Sequence, residues 1–168
     1  MKPPFCANGR NEIPMEEDVY RYTYSAVNQR RCVFEKTLNA RQCDCSRMSR
    51  FLLADREGVA CRSRAACHRC GRLLELTRNS ARFSLQMTRI GGPLPHNKEM
   101  KAQTGGLLGL QAVVNSELTA ATNVPDVYGL VDDAENLFAR IEGFPFDQIV
   151  KRIVRYEGRS RRSHRHPP

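Results

Sequence analysis

Six of the seven cysteines, Cys32, Cys43, Cys45, Cys61, Cys67 and Cys70, fall within one stretch of 39 residues, and none follows Cys70. In a reducing compartment, crowded thiols more often serve metal or redox chemistry than structural disulfides, and the odd count fits that use. The central pattern is Cys43-x-Cys45, fifteen residues, then Cys61-x5-Cys67-x2-Cys70. Two residues between thiols let both sulfurs turn to the same side of a loop, so Cys67 and Cys70 suit a shared ion or cluster. A third and fourth sulfur come from Cys61 and from Cys43 or Cys45. Four thiolates complete a tetrahedral Zn(II) site or an iron–sulfur cluster. The candidate metal ligands are therefore Cys43, Cys45, Cys61, Cys67 and Cys70. Cys6 and Cys32 read as ordinary thiols, since a single cysteine is usually a small apolar residue.

The spacing bears on the choice of metal. For zinc, Cys67-His68-Arg69-Cys70-Gly71 has the form of a knuckle, a CxxC followed by glycine, but Cys43-x-Cys45 is one residue too tight for a second CxxC. For iron and sulfur, Cys61-x5-Cys67-x2-Cys70 resembles the first three ligands of the vertebrate-type [2Fe–2S] ferredoxins. Those place a fourth cysteine well downstream, where this chain has none, so the resemblance does not imply their fold. Glu57-Gly58 ahead of Cys61, with Cys67-x2-Cys70, also resembles a short stretch of the molybdenum-delivery protein of nitrogen fixation. That likeness covers a small part of the chain, lacks the closing cysteine and carries no assignment. Charge tilts the choice further: Arg62, Arg64, Arg69 and Arg72 lie among the ligands and would offset an anionic four-thiolate cluster. An iron–sulfur cluster is the favoured cofactor, with zinc the alternative.

The formal net charge is +9, which points to an acidic or polyanionic partner. From Arg41 to Arg89 every cation is an arginine, eleven against four carboxylates, so the excess coincides with the cysteines. Forked guanidinium groups suit carboxylates and phosphates. Against nucleic acid, the segment offers only Phe51 and Phe83 as stacking platforms. Asp44 and His68 sit beside ligands as solvated neighbours, and no nucleophile–base pairing supports an enzyme. Lys98-Glu99-Met100-Lys101 before Gly105-Gly106 lacks the ending of a phosphate loop.

The elements that must position these thiols follow from the hydrophobic pattern. Residues 1–18 read as an irregular leader, and 19–90 as a Cys/Arg-rich metal-binding module. Within it, Val19, Tyr20, Tyr22, Tyr24 and Val33 suggest a strand. Ser46 is placed to cap a helix through about Arg56, ended by Gly58, and a second helix is expected after Cys70 on Leu73, Leu74 and Leu76. Gly91-Gly92-Pro93-Leu94-Pro95 opens a linker over 91–105, with Thr104-Gly105-Gly106 as its flexible end. Residues 106–158 form a helical segment. There Leu107, Leu110, Val114 and Leu118 share one face, Val127 to Ile141 follow i, i+3, i+4 spacing behind Pro125-Asp126, and a last helix starts near Asp147 and stops at Gly158. Residues 159–168 read as a disordered basic tail.

The fold class expected is mainly α: a small Cys-rich metal-binding module followed by a C-terminal helical segment. No apolar run reaches the ~18 residues of a membrane span, and no secretory signal opens the chain, so it is expected in the cytoplasm. The favoured function is an electron carrier, or a metal or cluster accessory factor of a redox system, docking an acidic protein partner. A zinc-stabilised nucleic-acid-binding module is the alternative, and an adaptor docking through Asp132, Asp133 and Glu135 is a third class.

Overall fold

The computed structural model describes residues 13–87 and 94–158. The leader before Ile13, the Gly91 to Pro93 part of the linker, Cys6, Arg89 and the basic tail lie outside the described residues. The described chain is mostly helical, with one β-hairpin.

The first element corrects the expected strand: Ile13–Val27 is a helix, α1. Pro14 lies in its first turn, where a missing N–H costs no hydrogen bond. The tyrosines obey i, i+4 spacing rather than alternation. Tyr20 and Tyr24 stack with ring centroids 5.9 Å apart, while Tyr22 points to solvent. A short helix α2 (Glu35–Asn39) follows and buries Glu35, Thr37 and Leu38.

The expected helix from Ser46 is instead a hairpin of β1 (Met48–Leu53) and β2 (Arg56–Cys61), in register from Met48↔Cys61 to Leu53↔Arg56. Its two-residue turn holds Ala54 at φ 53°. Over so short a run, the spacing of Met48, Phe51 and Leu52 fits either period. Two contacts decide for the sheet. The Phe51 ring lies over Gly58, where a Cβ would stand only 2.4 Å from the ring, so Gly58 serves close approach rather than helix termination. Residues 30–32 also add along β2, with Cys32 N donating to Val59 O at 3.0 Å and Cys61 N to Arg30 O at 2.8 Å. The strand thereby fixes Cys61 beside Cys32.

Helix α3 (Arg64–Ser80) starts ahead of Cys67 rather than after Cys70, because Ser63 caps it by accepting from Ala66 N at 3.2 Å. Cys67 and Cys70 stand at i, i+3 on its first turns and Leu73, Leu74 and Thr77 face the core.

The expected flexible linker is helical from His96 onward: α4 (His96–Met100), a π-helical turn (Lys101–Gly105) and α5 (Gly106–Val114) run without a break. Gly105 and Gly109 are there for proximity, since an added Cβ at either would stand 2.9 Å from a backbone atom of Ile153 or Ile149 in the final helix. Leu118 leaves the expected helical face and sits in a separate 3-10 turn, Ser116–Ala120.

Helices α6 (Val127–Phe138) and α7 (Phe146–Arg155) stand on the two periodic stretches, but α6 stops short of the expected Ile141, which sits in a separate 3-10 turn, Ile141–Gly143. Asp126 caps α6, accepting from Tyr128 N at 3.0 Å, and Ala139 at φ 68° ends it. Phe34, Leu38, Cys70 and Leu73 share one hydrophobic core with Leu107, Leu110, Val131, Ile149 and Ile153. The segments on either side of the Gly91–Pro95 break are therefore packed together. Among the described residues no helix is long and apolar enough to cross a membrane.

Candidate metal centre

Five thiols line one small cavity: Cys32 from the loop after α1, Cys45 from the loop before β1, Cys61 from the end of β2, and Cys67 and Cys70 from α3. Apolar and aromatic groups, among them Phe34, Met48, Val127 and Tyr128, close its other walls. All five are free thiols. The loop carrying Cys45 is stitched to the start of α6, with Asp44 N donating to Val124 O at 2.9 Å, Val127 N to Asp44 O at 2.9 Å and Ser46 N to Asp126 Oδ1 at 2.9 Å. The loop carrying Cys32 is held from the core side: Gln103 Nε2 donates to Val33 O at 3.0 Å, and Gln103 Oε1 accepts from Thr37 N at 3.3 Å.

Backbone amides point at two of the sulfurs, Phe34 N–H at Cys32 and the Arg47 and Tyr128 N–H groups at Cys45. Such donors stabilise thiolate over thiol. Burial works the other way. It pushes the Cys32 thiol up to about 12 and raises Cys45, Cys67 and Cys70 as well, with the neighbouring sulfurs adding to the rise at Cys32 and Cys70. Buried thiols whose thiolate forms would repel one another, with few counter-charges nearby, are a donor set that a bound cation would neutralise, releasing protons as it binds.

The expected ligands are not all here. Cys45, Cys61, Cys67 and Cys70 come together, but Cys43 does not line the cavity and Cys32 does. Cys43 is buried in the hydrophobic core, bridged through its backbone to Val124, with the Thr37 side chain bonded to its sulfur. The signal for Cys32 was its membership of the cysteine-dense stretch, because it lies outside any CxxC. Asp44 and His68 are exposed, and the Asp44 carboxylate accepts from Cys45 N at 2.7 Å.

Nor do the expected flanking arginines face the sulfurs. Arg69 pairs with Asp132 at 3.2 Å and Glu135 at 2.7 Å, and Arg72 with Glu75 at 3.0 Å and Glu142 at 2.8 Å. These pairs tie α3 to α6 and to the turn after it, and occupy Asp132 and Glu135 of the acidic face. Arg62 donates to Ser46 O at 2.8 Å, and Arg64 is exposed. The arginine that lines the cavity is Arg47, stacked on Tyr128 at 4.6 Å, with Arg69 on the same ring at 5.3 Å.

The fit of a metal can be tested on this geometry. A Zn–S length of ~2.3 Å gathers tetrahedral sulfurs ~3.8 Å apart about one point. Among the described residues no three His, Cys, Asp or Glu side chains are gathered so as to hold a single ion. The free space between the thiols is about 10 Å³. That admits roughly one water, so a cluster enters only as thiol rotamers turn outward. No family model matches the chain, and no curated protein or solved structure is detectably similar to it.

Proposed function

We propose that Cys32, Cys45, Cys61, Cys67 and Cys70 supply the ligands of an iron–sulfur cluster, and that the chain acts as an electron carrier or as a cluster-delivering accessory factor of a redox system. One observation carries this reading: five free thiols from four separate segments line one cavity. A cluster takes its thiolates at separate iron corners and so suits sulfurs delivered from several segments, once their rotamers turn outward to admit it. Five thiols also exceed the four that a cluster needs. The wall of Phe34, Met48 and Val127 would keep water from the sulfurs, and the amides of Phe34, Arg47 and Tyr128 would set the potential through N–H···S bonds.

The arginine chemistry speaks against the nucleic-acid alternative. Arg41, Arg50, Arg56, Arg69, Arg72 and Arg78 are all paired with carboxylates of the chain itself. Anaerobic purification followed by absorption spectroscopy, iron and acid-labile sulfide analysis tests the reading. The double variant Cys67→Ser, Cys70→Ser, which leaves three of the five thiols, should lower iron content severalfold while Cys43→Ser leaves it near wild type. A colourless protein carrying stoichiometric zinc, or iron lost in Cys43→Ser but kept in the double variant, would remove it.

A further inference from the structure

The thiol cavity has a rim of a different chemistry from the rest of the arginine-rich surface. Arg30, Arg47, Arg62 and Arg64 are all exposed, and among the described residues none of them makes an ion pair with a carboxylate. Each adjoins a cavity cysteine, in space or along the chain. Arg30 Nε donates to Cys61 O at 3.0 Å. Arg62 follows Cys61 and donates to Ser46 O, next to Cys45. Arg64 opens α3 three residues before Cys67, and Arg47 lines the cavity itself. The carboxylates beside them are engaged by backbone amides, Asp44 by Cys45 N at 2.7 Å and Asp126 by Ser46 N at 2.9 Å and Tyr128 N at 3.0 Å.

We infer that this rim is the docking surface for an acidic protein, which it brings against the half-exposed Cys67, the sulfur nearest the outside. The inference rests on the reading of the cavity as a cluster site and adds where exchange occurs and with what. Four guanidinium groups without a carboxylate partner, one lining the cavity and three on residues that adjoin its cysteines, outnumber the Asp44 and Asp126 carboxylates beside them and leave this side positive, which steers a negatively charged partner towards it. An acidic protein fits better than nucleic acid because the rim has fork donors but only one aromatic ring, Tyr128, and that ring is already covered by Arg47 and Arg69.

The test uses the full chain as purified, with fluorescent poly-L-glutamate and a single-stranded oligothymidylate of matched charge as probes. Wild type should bind polyglutamate at low salt and lose it as salt rises. The triple variant Arg30→Gln, Arg62→Gln, Arg64→Gln should bind about tenfold more weakly, the combined scale of three exposed ion pairs. Arg64 makes no side-chain hydrogen bond or ion pair among the described residues, so Arg64→Glu repeats the test with little effect on folding, and it should weaken binding severalfold. Unchanged affinity in both variants would overturn the inference, as would tighter binding of the oligothymidylate through the same arginines. The two readings separate by colour. Arginine-dependent polyglutamate binding by a colourless protein keeps the surface and removes the cluster, while a brown protein whose binding ignores these arginines keeps the cluster and removes the surface.

Discussion

Gln103→Met isolates the polar clamp behind the thiol cavity, because methionine keeps the length of the side chain and removes its amide. Gln103 is 3% exposed and sits in the π-helical turn. Its amide oxygen accepts from Thr37 N at 3.3 Å, and its nitrogen donates to Val33 O at 3.0 Å and to Glu99 Oε1 at 2.5 Å. The substitution leaves two backbone groups without this partner, at about 1–3 kcal/mol each. Glu99 keeps Arg78 at 2.5 Å, so its loss is smaller. A total near 3 kcal/mol is expected, a large part of the ~5–15 kcal/mol by which domains of this kind are stable. With a urea dependence of about 2 kcal/mol/M, the midpoint should fall by about 1.5 M. Because Val33 adjoins Cys32, any cluster held as proposed should also be lost faster to a chelator. A midpoint within about 0.3 M of wild type would refute the reasoning, since it would mean that the buried amide contributes almost nothing.

Gly109→Ala would raise helix propensity by about 1 kcal/mol, yet it places a methyl 2.9 Å from the Cα and O of Ile149. Backbone atoms do not swing aside, so a net loss of about 1–2 kcal/mol in thermal or urea unfolding is expected, and a stabilised variant would show that α5 and α7 are less closely packed. The pH dependence of the metal-free chain has a definite sign. Burial pushes the Cys43 thiol up to about 12, so the folded state keeps a proton that the unfolded chain releases near 9. Its contribution is whole below about pH 9 and is lost as pH climbs towards 12, at about 1.4 kcal/mol per unit. Urea midpoints measured at pH 7.5 and 10.5 should therefore fall, and Cys43→Ala should flatten that fall; an equal slope in the variant would deny the shift.

What the sequence made legible was decided by length of pattern. From Val127 to Phe138 and from Phe146 to Arg155 the apolar period runs for several turns, and both helices stand where it put them. Shorter signals were ambiguous. Tyr20, Tyr22 and Tyr24 look alternating, but the i, i+4 pair is the one that packs, and Met48 to Leu53 looked helical until Gly58 and Phe51 met across a hairpin. Thr104-Gly105-Gly106 reads as a flexible hinge by composition. Its glycines instead serve an interhelical contact, which depends on Ile149 and Ile153 more than forty residues away. The thiols show the same limit. Spacing grouped Cys61, Cys67 and Cys70, all of which line the cavity, but it could not tell Cys43 from Cys32. That distinction lies in which residues flank each one in space: Thr37 and Val124 for Cys43, Phe34 N–H for Cys32.

The cavity and the core share walls, and this determines what a bound metal can do for the fold. Cys70 belongs to the hydrophobic core, while Cys32, Cys45 and Met48 pack against it. A small metal module that is unfolded without its ion has no such second source of cohesion. Here Leu107, Leu110, Ile149 and Ile153 are buried and do not line the thiol cavity, so the helices have a reason to assemble with the cavity unliganded. What lacks support of its own is the outer side of the cavity. The Cys32 and Cys45 loops hang on the Gln103 clamp and on the seam from residues 42–46 to 124–128, and each carries a sulfur whose burial favours the neutral thiol. If a cluster binds as proposed, its binding free energy would therefore act mainly against local opening of those loops. It would then be shielded while the loops are closed and reachable once they part, at the edge where Arg30, Arg47 and Arg62 would meet a partner.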